Sequence, residues 1–376
     1  MSAFSRASVR GRIAWKYFDI WLLGGVIVLN LYGVLMIRSA VSGVTAWESY
    51  PQTQIMWMVI GLGFAFFFTL VDYRYLATMH WYIYIGLLLL LIYLLVSGQE
   101  CNFTRRCISV GSRFAFQPSE FGRVFILISL SQIIVTRRKY MARFSNTILT
   151  LLYMVIPASL VFLQPDFGMS ILFVSIWFVI NWLAGLRISH FVVLFFLGIL
   201  SLLVLYPNLQ PYQQERFATF INPQNADEED LYNIVQSEIS VGSGGLFGKG
   251  YYQGTQSQLG YLRVQHTDFI FSVIVEEMGL LFGALPILFL EGFILWRILK
   301  VSLSTHDLVG TLISSGVAFI LFFQMVVNVG MNLQLVPVTG LTLPFVSYGG
   351  SSLLTLYIGI GIVQSVSLRQ RKQAFG

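Results

Sequence analysis

Residues 80–97 read HWYIYIGLLLLLIYLLVS, and after the opening histidine no side chain in the run can carry a charge at neutral pH. A membrane span needs about 20 mostly apolar residues, and this stretch comes close to that length on its own. Similar runs lie near 18–38, 54–71, 119–136, 147–163, 167–184, 188–205, 268–295, 308–330 and 347–368. Of the 376 residues, 56% are hydrophobic and 11% charged, and the mean hydropathy is +0.74. A soluble domain carries roughly 25% charged residues, so most of this surface must face lipid. The expected fold is an all-α polytopic membrane protein of about ten transmembrane helices, forming one transmembrane domain over 1–376.

The net charge of +6 could suggest a nucleic-acid partner. The basic residues instead sit in short runs between apolar stretches, as they do where Lys and Arg collect on the cytoplasmic side of a membrane. With the N-terminus inside, alternating spans place 15 of the 23 basic residues in cytoplasmic segments. Both termini are then cytoplasmic, which requires an even number of spans. The first apolar run follows Arg6, Arg10, Arg12 and Lys16 without a cleavage site, so it reads as an uncleaved helix.

Three outward segments stand apart. Residues 98–118 hold both cysteines, Cys101 and Cys107. An oxidising exterior permits a disulfide there, and the spacing leaves open a small-loop bridge or two thiols. Residues 206–267 form a long extracytoplasmic loop between the seventh and eighth spans, with an acidic run at 227–230, a helical pattern from Tyr232 to Val241, and a glycine-rich stretch from Gly242 to Gly254. Long loops of this kind are usually functional. The acidic run reads as a solvated face or a helix start. The glycines fail the phosphate-loop pattern, because Ser243 and Gly250 stand where it needs glycine and Ser or Thr. Residues 331–346 carry no charge and lead into Pro344–Ser352. Irregular backbone at membrane depth survives only inside protein or around a cavity, so this segment reads as partly re-entrant.

Ionisable groups near or within spans are the functional candidates. Glu120 and Arg123, one helical turn apart, can pair, either to hold helices together or to face a substrate. Asp166 reads as a helix cap in a tight turn. Glu276 and Glu277 fall in the eighth span, about 12–14 Å below Asp268 at the rise of a helix. His266-Thr267-Asp268 is the sharpest candidate. It ends the long loop where an apolar helix begins, so Asp268 in a first turn would feel the helix dipole. It would stay ionised there and could act as a general base. A simple helix cap is the competing reading. No HExxH or CxxC pair occurs, so no dedicated zinc site is expected.

Several tracts in order resemble the SEDS family (shape, elongation, division and sporulation) across nearly the whole chain. They are Gln117–Phe121, Gln164–Gly168, Gln236–Gly250, His266–Phe271 with Glu276-Glu277, and Asn328–Ser352. Gly254–Leu259 is similar to the elongation-type members rather than the division-type ones. The chain departs from the pattern at Arg106-Cys107-Ile108, where the family has Arg-Trp-Ile, and at Leu262–Gln265, where it has Leu-Pro-Glu. It also has Arg123 where lysine is common.

The resemblance implies a peptidoglycan glycosyltransferase of the bacterial cytoplasmic membrane, acting on lipid II and working with a class B penicillin-binding protein. The acceptor hydroxyl needs a base on the outer face, and Asp268 occupies that place. Charge growing on the leaving diphosphate must be met by cations, for which Arg113, Arg123, Lys249 and Arg263 are candidates. Glu120, His266, Thr267 and Ser347 join them as expected substrate contacts. No cofactor is demanded by the sequence, although a divalent cation (Mg or Mn) could bridge the diphosphate to an acidic residue. A single base with no second nucleophilic carboxylate suits direct, inverting displacement. A lipid flippase and a non-catalytic scaffold for the transpeptidase are the rival readings.

Overall fold

The computed structural model describes residues 14–97, 99–101, 104–110, 114–205, 214 and 228–370. Arg113 and most of 206–227 lie outside them. The chain runs through α1 (Ile20–Ala40), α2 (Tyr50–Leu70), the short α3 (Tyr73–Thr78) and α4 (His80–Ser97). Three strands follow, β1 (Gln99–Cys101), β2 (Thr104–Val110) and β3 (Phe114–Phe116). Then come α5 (Pro118–Thr136), α6 (Phe144–Phe162), α7 (Phe167–Leu183) and α8 (Ile188–Leu205). The long loop carries α9 (Glu228–Gly244) and the single turn α10 (Thr255–Gln258). The last part holds α11 (Ile270–Gly279), α12 (Leu285–Ser304), α13 (Leu308–Asn332) and α14 (Gly350–Leu368).

Seven helical stretches are long and apolar enough to cross a membrane by length and composition, counting Ile270–Ser304 as one. Shorter apolar helices occupy α4, α7 and α8. These are the ten runs seen in the sequence, most with boundaries within about three residues of those expected. At the centre is α14, buried along its whole length. It packs on α2, and Gly361 lets the two backbones meet at Ala65. Small residues permit this closeness, and van der Waals packing supplies the association where lipid removes the hydrophobic drive.

The eighth span is not the straight helix expected over 268–295. At 1.5 Å per residue, Ile270–Ser304 would be about 52 Å long, well beyond a hydrocarbon core of about 30 Å. The chain solves this by breaking at Gly279, where φ is 73°, and passing through a π-helical turn, Leu280–Ala284. Contacts with α1 fix the depth. Arg297 Nη2 lies 2.6 Å from Asp19 Oδ1 at the inner end. Tyr32 donates to the Phe282 carbonyl at 3.0 Å. Ser39, in the last turn of α1, donates to Glu277 at 2.7 Å. Glu277 therefore sits at the outer end of α1 and not in the membrane interior.

The outward segment after α4 forms a small antiparallel sheet in the order β1-β2-β3, a departure from an all-helical reading. β2 holds Thr104, Ile108 and Val110, residue types that favour extended backbone. Ile108 pairs with Phe116 and Val110 with Phe114. Cys107 is buried and disulfide-bonded, and Cys101 is the one other cysteine in the sequence.

Residues 333–349 form no helix and dip back into the bundle. Val346 packs on the backbone of Gly33, roughly 10 Å below the outer end of α1 by helix rise. Protein groups satisfy buried carbonyls in this segment, as re-entrant backbone requires. Asn328 Nδ2 donates to Leu341 O at 2.8 Å, and Gln54 Nε2 donates to Ser347 O at 3.1 Å.

Candidate active site

Asp268 lies just before α11, whose first residue is Ile270 and whose N-cap is Phe269. It is therefore neither a first-turn residue nor the cap. Its place is set through its main chain. Asn332 Nδ2 donates to the Asp268 carbonyl at 3.0 Å and Asn328 Nδ2 at 3.2 Å. Asn332 also accepts from the Ser272 amide at 3.2 Å, which ties the start of α11 to the end of α13. From the other side, Ser347 Oγ donates to Thr267 O at 2.8 Å, and the Tyr348 amide donates to His266 O at 2.9 Å. The carboxylate is half-buried and faces the turn at Gly340, where an added Cβ would stand 3.8 Å from Oδ2.

His266 sits in an aromatic box. Its ring centroid is 4.6 Å from Trp47 and 5.0 Å from Tyr50, and Tyr50 stacks on Tyr348 at 4.2 Å. Burial pushes the His266 imidazole down to about 4. The ring is thus uncharged at neutral pH and can offer a diphosphate no positive charge.

The second group lies on α5. Arg123 is fully buried, with Nη2 2.9 Å from Glu120 Oε2. The same Nη2 donates to Ser352 O at 3.2 Å and to Ser352 Oγ at 3.1 Å. Nε and Nη1 of Arg123 meet no hydrogen-bond partner among the described residues. Buried donors of this kind are costly to leave unmet. The sequence tracts around it are joined. Gln117 Nε2 donates to Asp166 Oδ2 at 2.9 Å, and the Gln117 amide donates to Ser351 Oγ at 3.2 Å. Asp166 also caps α7 through the Met169 amide at 3.2 Å, as its turn context suggested. Ser347 on one side and Ser351 and Ser352 on the other place the Asp268 and Arg123 groups at the two ends of one short segment.

Lys249 goes elsewhere. Its Nζ lies 2.9 Å from Glu276 Oε1 and 2.7 Å from Thr255 Oγ1. Glu276 further accepts from the Gln256 amide at 2.8 Å and the Ser257 amide at 3.1 Å. Glu277 accepts from Gln258 Nε2 at 3.0 Å and from Ser39. The paired glutamates therefore clamp the glycine-rich stretch onto α11, and Lys249 is a member of that clamp. Arg263 is exposed, with its amide 3.4 Å from Asn233 Oδ1. Among the described residues, no group of three or more His, Cys, Asp or Glu is gathered as metal ligands are.

The clamp depends on Gly248, which has φ of 78° and meets the Gly279 backbone and the Glu277 carbonyl. Gly248→Ala is expected to cost about 1–2 kcal/mol from the left-handed backbone alone, with the overlap adding to it. A thermal midpoint in detergent micelles would register this loss. An unchanged midpoint would mean that the loop does not dock as described.

Sequence reasoning passed over Asn328 and Asn332 as position-setting groups. Their signal was present, since two amides four residues apart in an apolar run share a helix face. The aromatic box had no such signal, because Trp47, Tyr50 and Tyr348 are distant in sequence.

A model of cell cycle proteins named for FtsW, RodA and SpoVE matches residues 19–372. The chain belongs to the FtsW/RodA/SpoVE family. Its relatives include stage V sporulation protein E of Bacillus subtilis (strain 168), 33% identical over 94% of this chain and 98% of that protein. The peptidoglycan glycosyltransferase MrdB of Escherichia coli (strain K12) is 35% identical over 77% of this chain and 78% of that protein. Solved structures agree. One chain from work on structural coordination of polymerization and crosslinking by a peptidoglycan synthase complex superposes with TM-score 0.81 at 32% identity, covering 94% of this chain and 98% of that one. The Thermus thermophilus rod shape determining protein RodA gives TM-score 0.70 at 28% identity, covering 95% of this chain and 99% of that one. Relatives named RodA and FtsW are each 31% identical to this chain, so membership reaches the family and not one of its branches.

Proposed function

We propose that this family member, a multi-pass peptidoglycan glycosyltransferase, polymerises lipid II at the outer face of the bacterial cytoplasmic membrane with Asp268 as general base. The observation that carries the reading is the anchoring of the Asp268 backbone by Asn328, Asn332 and the 266–268/347–348 contacts, on the side where lipid-linked sugars lie. A half-buried carboxylate held there can take the proton of an acceptor hydroxyl as it attacks the anomeric carbon. The bond to the lipid diphosphate breaks in the same step, which inverts that carbon. Charge gathers on the leaving diphosphate, and Arg123, whose buried Nε–H and Nη1–H meet no partner among the described residues, is the cation proposed to receive it. Glu120 holds the guanidinium in place for that role. Lys249 is removed from this role by its clamp, and His266 and Thr267 contribute position through their carbonyls.

The elongation-type assignment rests on Gly254–Leu259, the stretch whose Gln256, Ser257 and Gln258 grip the paired glutamates. A class B penicillin-binding protein is the proposed partner, since one relative's structure comes from a synthase complex that couples polymerization to crosslinking.

The test is reconstitution. Purified chain and partner transpeptidase in liposomes, given labelled lipid II across a series of Mg and Mn concentrations, should yield a ladder of glycan strands. Labelled lipid crossing the bilayer with no ladder under any condition would overturn the reading in favour of a flippase.

A further inference from the structure

The inner end of the bundle holds a cavity of about 230 Å³, remote from the outward site. It opens where the segment before α1, the end of α12 and the end of α14 converge, and Lys16, Asp19, Arg297, Lys300, Ser304 and Gln370 are among its lining residues. The charges there do not cancel. Arg297 is held by Asp19 through two short contacts, Nη2 to Oδ1 at 2.6 Å and Nε to Oδ2 at 2.9 Å. Lys16 and Lys300 form no ion pair with any described residue. Their ammonium groups instead stand over aromatic rings, Lys16 5.0 Å from Tyr17 and Lys300 5.6 Å from Trp296. Two positive charges are thus left facing the cavity.

The surroundings are apolar and face outward. Trp296 is 54% exposed and Leu303 87% exposed on α12, and Trp15 is 52% exposed beside Lys16. Tryptophan at this level marks the membrane–water boundary. A ligand that fills the cavity and continues past its mouth along α12 must therefore offer anionic oxygens to Lys16 and Lys300 inside it and hydrocarbon to Trp296 and Leu303 outside it. A soluble anion offers only the first. The lysine stems can lie along the apolar rim while their charged ends reach the cavity.

We propose that this cavity binds the phosphodiester headgroup of an anionic glycerophospholipid from the cytoplasmic leaflet, with one acyl chain lying along α12. The anionic inner leaflet attracts basic residues near its surface, and a gap between helices gives the headgroup a defined seat. The lipid would join the N-terminal segment, α12 and α14 at one point. The walls are already cross-tied, since Ser367 Oγ donates to Tyr17 O at 2.7 Å and Gln370 Nε2 donates to Val301 O at 3.3 Å. The site is preformed to that extent.

The experiment uses the full chain, delipidated in neutral detergent and titrated with phosphatidylglycerol, with binding read by native mass spectrometry and by thermal shift. Each basic residue near a lipid surface is worth about fivefold, so Lys16→Gln with Lys300→Gln should weaken binding roughly 25-fold. The pair Lys16→Arg and Lys300→Arg should keep it, which separates loss of charge from loss of fold. Arg138→Gln with Lys139→Gln, exposed on another cytoplasmic turn, should change nothing. Wild-type affinity in the double Gln variant would overturn the proposal. So would a thermal shift from millimolar inorganic phosphate alone that matches the lipid's, since the cavity would then be a soluble-anion site.

Discussion

Arg123→Met is expected to destabilise the protein by about 3 kcal/mol or more, because removing one member of a buried ion pair leaves the other charge in a poor environment. Glu120 is buried and its Oε2 lies 2.9 Å from Arg123 Nη2, so the lost cation cannot readily be replaced by water. Pairing the change with Glu120→Gln removes that charge and should restore most of the stability. It should not restore polymerisation, because the guanidinium would still be missing. Arg123→Lys should fold but act more slowly. A lysine keeps the charge yet cannot place donors in a planar fork, and here one nitrogen reaches Glu120 and Ser352 while two others meet no partner among the described residues. Thermal midpoints and polymerisation rates, read side by side on the four proteins, separate the two roles. Full activity in the double variant would make the pair purely structural.

The crossings were legible because hydrocarbon imposes a length and a composition on each. Residues 308–330 were expected to span, and α13 runs Leu308–Asn332. Re-entry at 331–346 was legible for a related reason, since an uncharged, proline-bearing stretch cannot lie bare in lipid. What failed was depth and partnership. Glu276 and Glu277 were expected inside a span, whereas Ser39, Lys249 and Gln258 hold them at the outer end of α1. Lys249 was credited to substrate by its sign and side. Its actual partner, Glu276, is 27 residues away, and no local pattern encodes such a contact. The outer sheet was missed because its strands run only three, seven and three residues, too short for an alternation to stand out. Of the candidate site, the tracts themselves were readable. The way Ser347, Ser351 and Ser352 tie them together was not, since tertiary packing alone decides it.

The larger effect is on chemistry. Asp268→Asn should lower the polymerisation rate by about 10²–10⁴-fold, the usual contribution of a positioned general base. Asparagine has nearly the same shape but cannot accept the hydroxyl proton. Folding should survive, because Asn328 and Asn332 hold the backbone carbonyl of residue 268, which the substitution keeps. Lipid II binding should survive for the same reason. A base that acts only in the transition state lowers the catalytic rate without weakening the ground-state complex.

The most direct measurement is the single-turnover rate of glycan bond formation by wild type and Asp268→Asn, each purified with the partner transpeptidase and saturated with labelled lipid II. Equal occupancy by lipid II is expected, with a rate at least about 100-fold lower in the variant. Equal rates in the two proteins would rule out Asp268 as the general base.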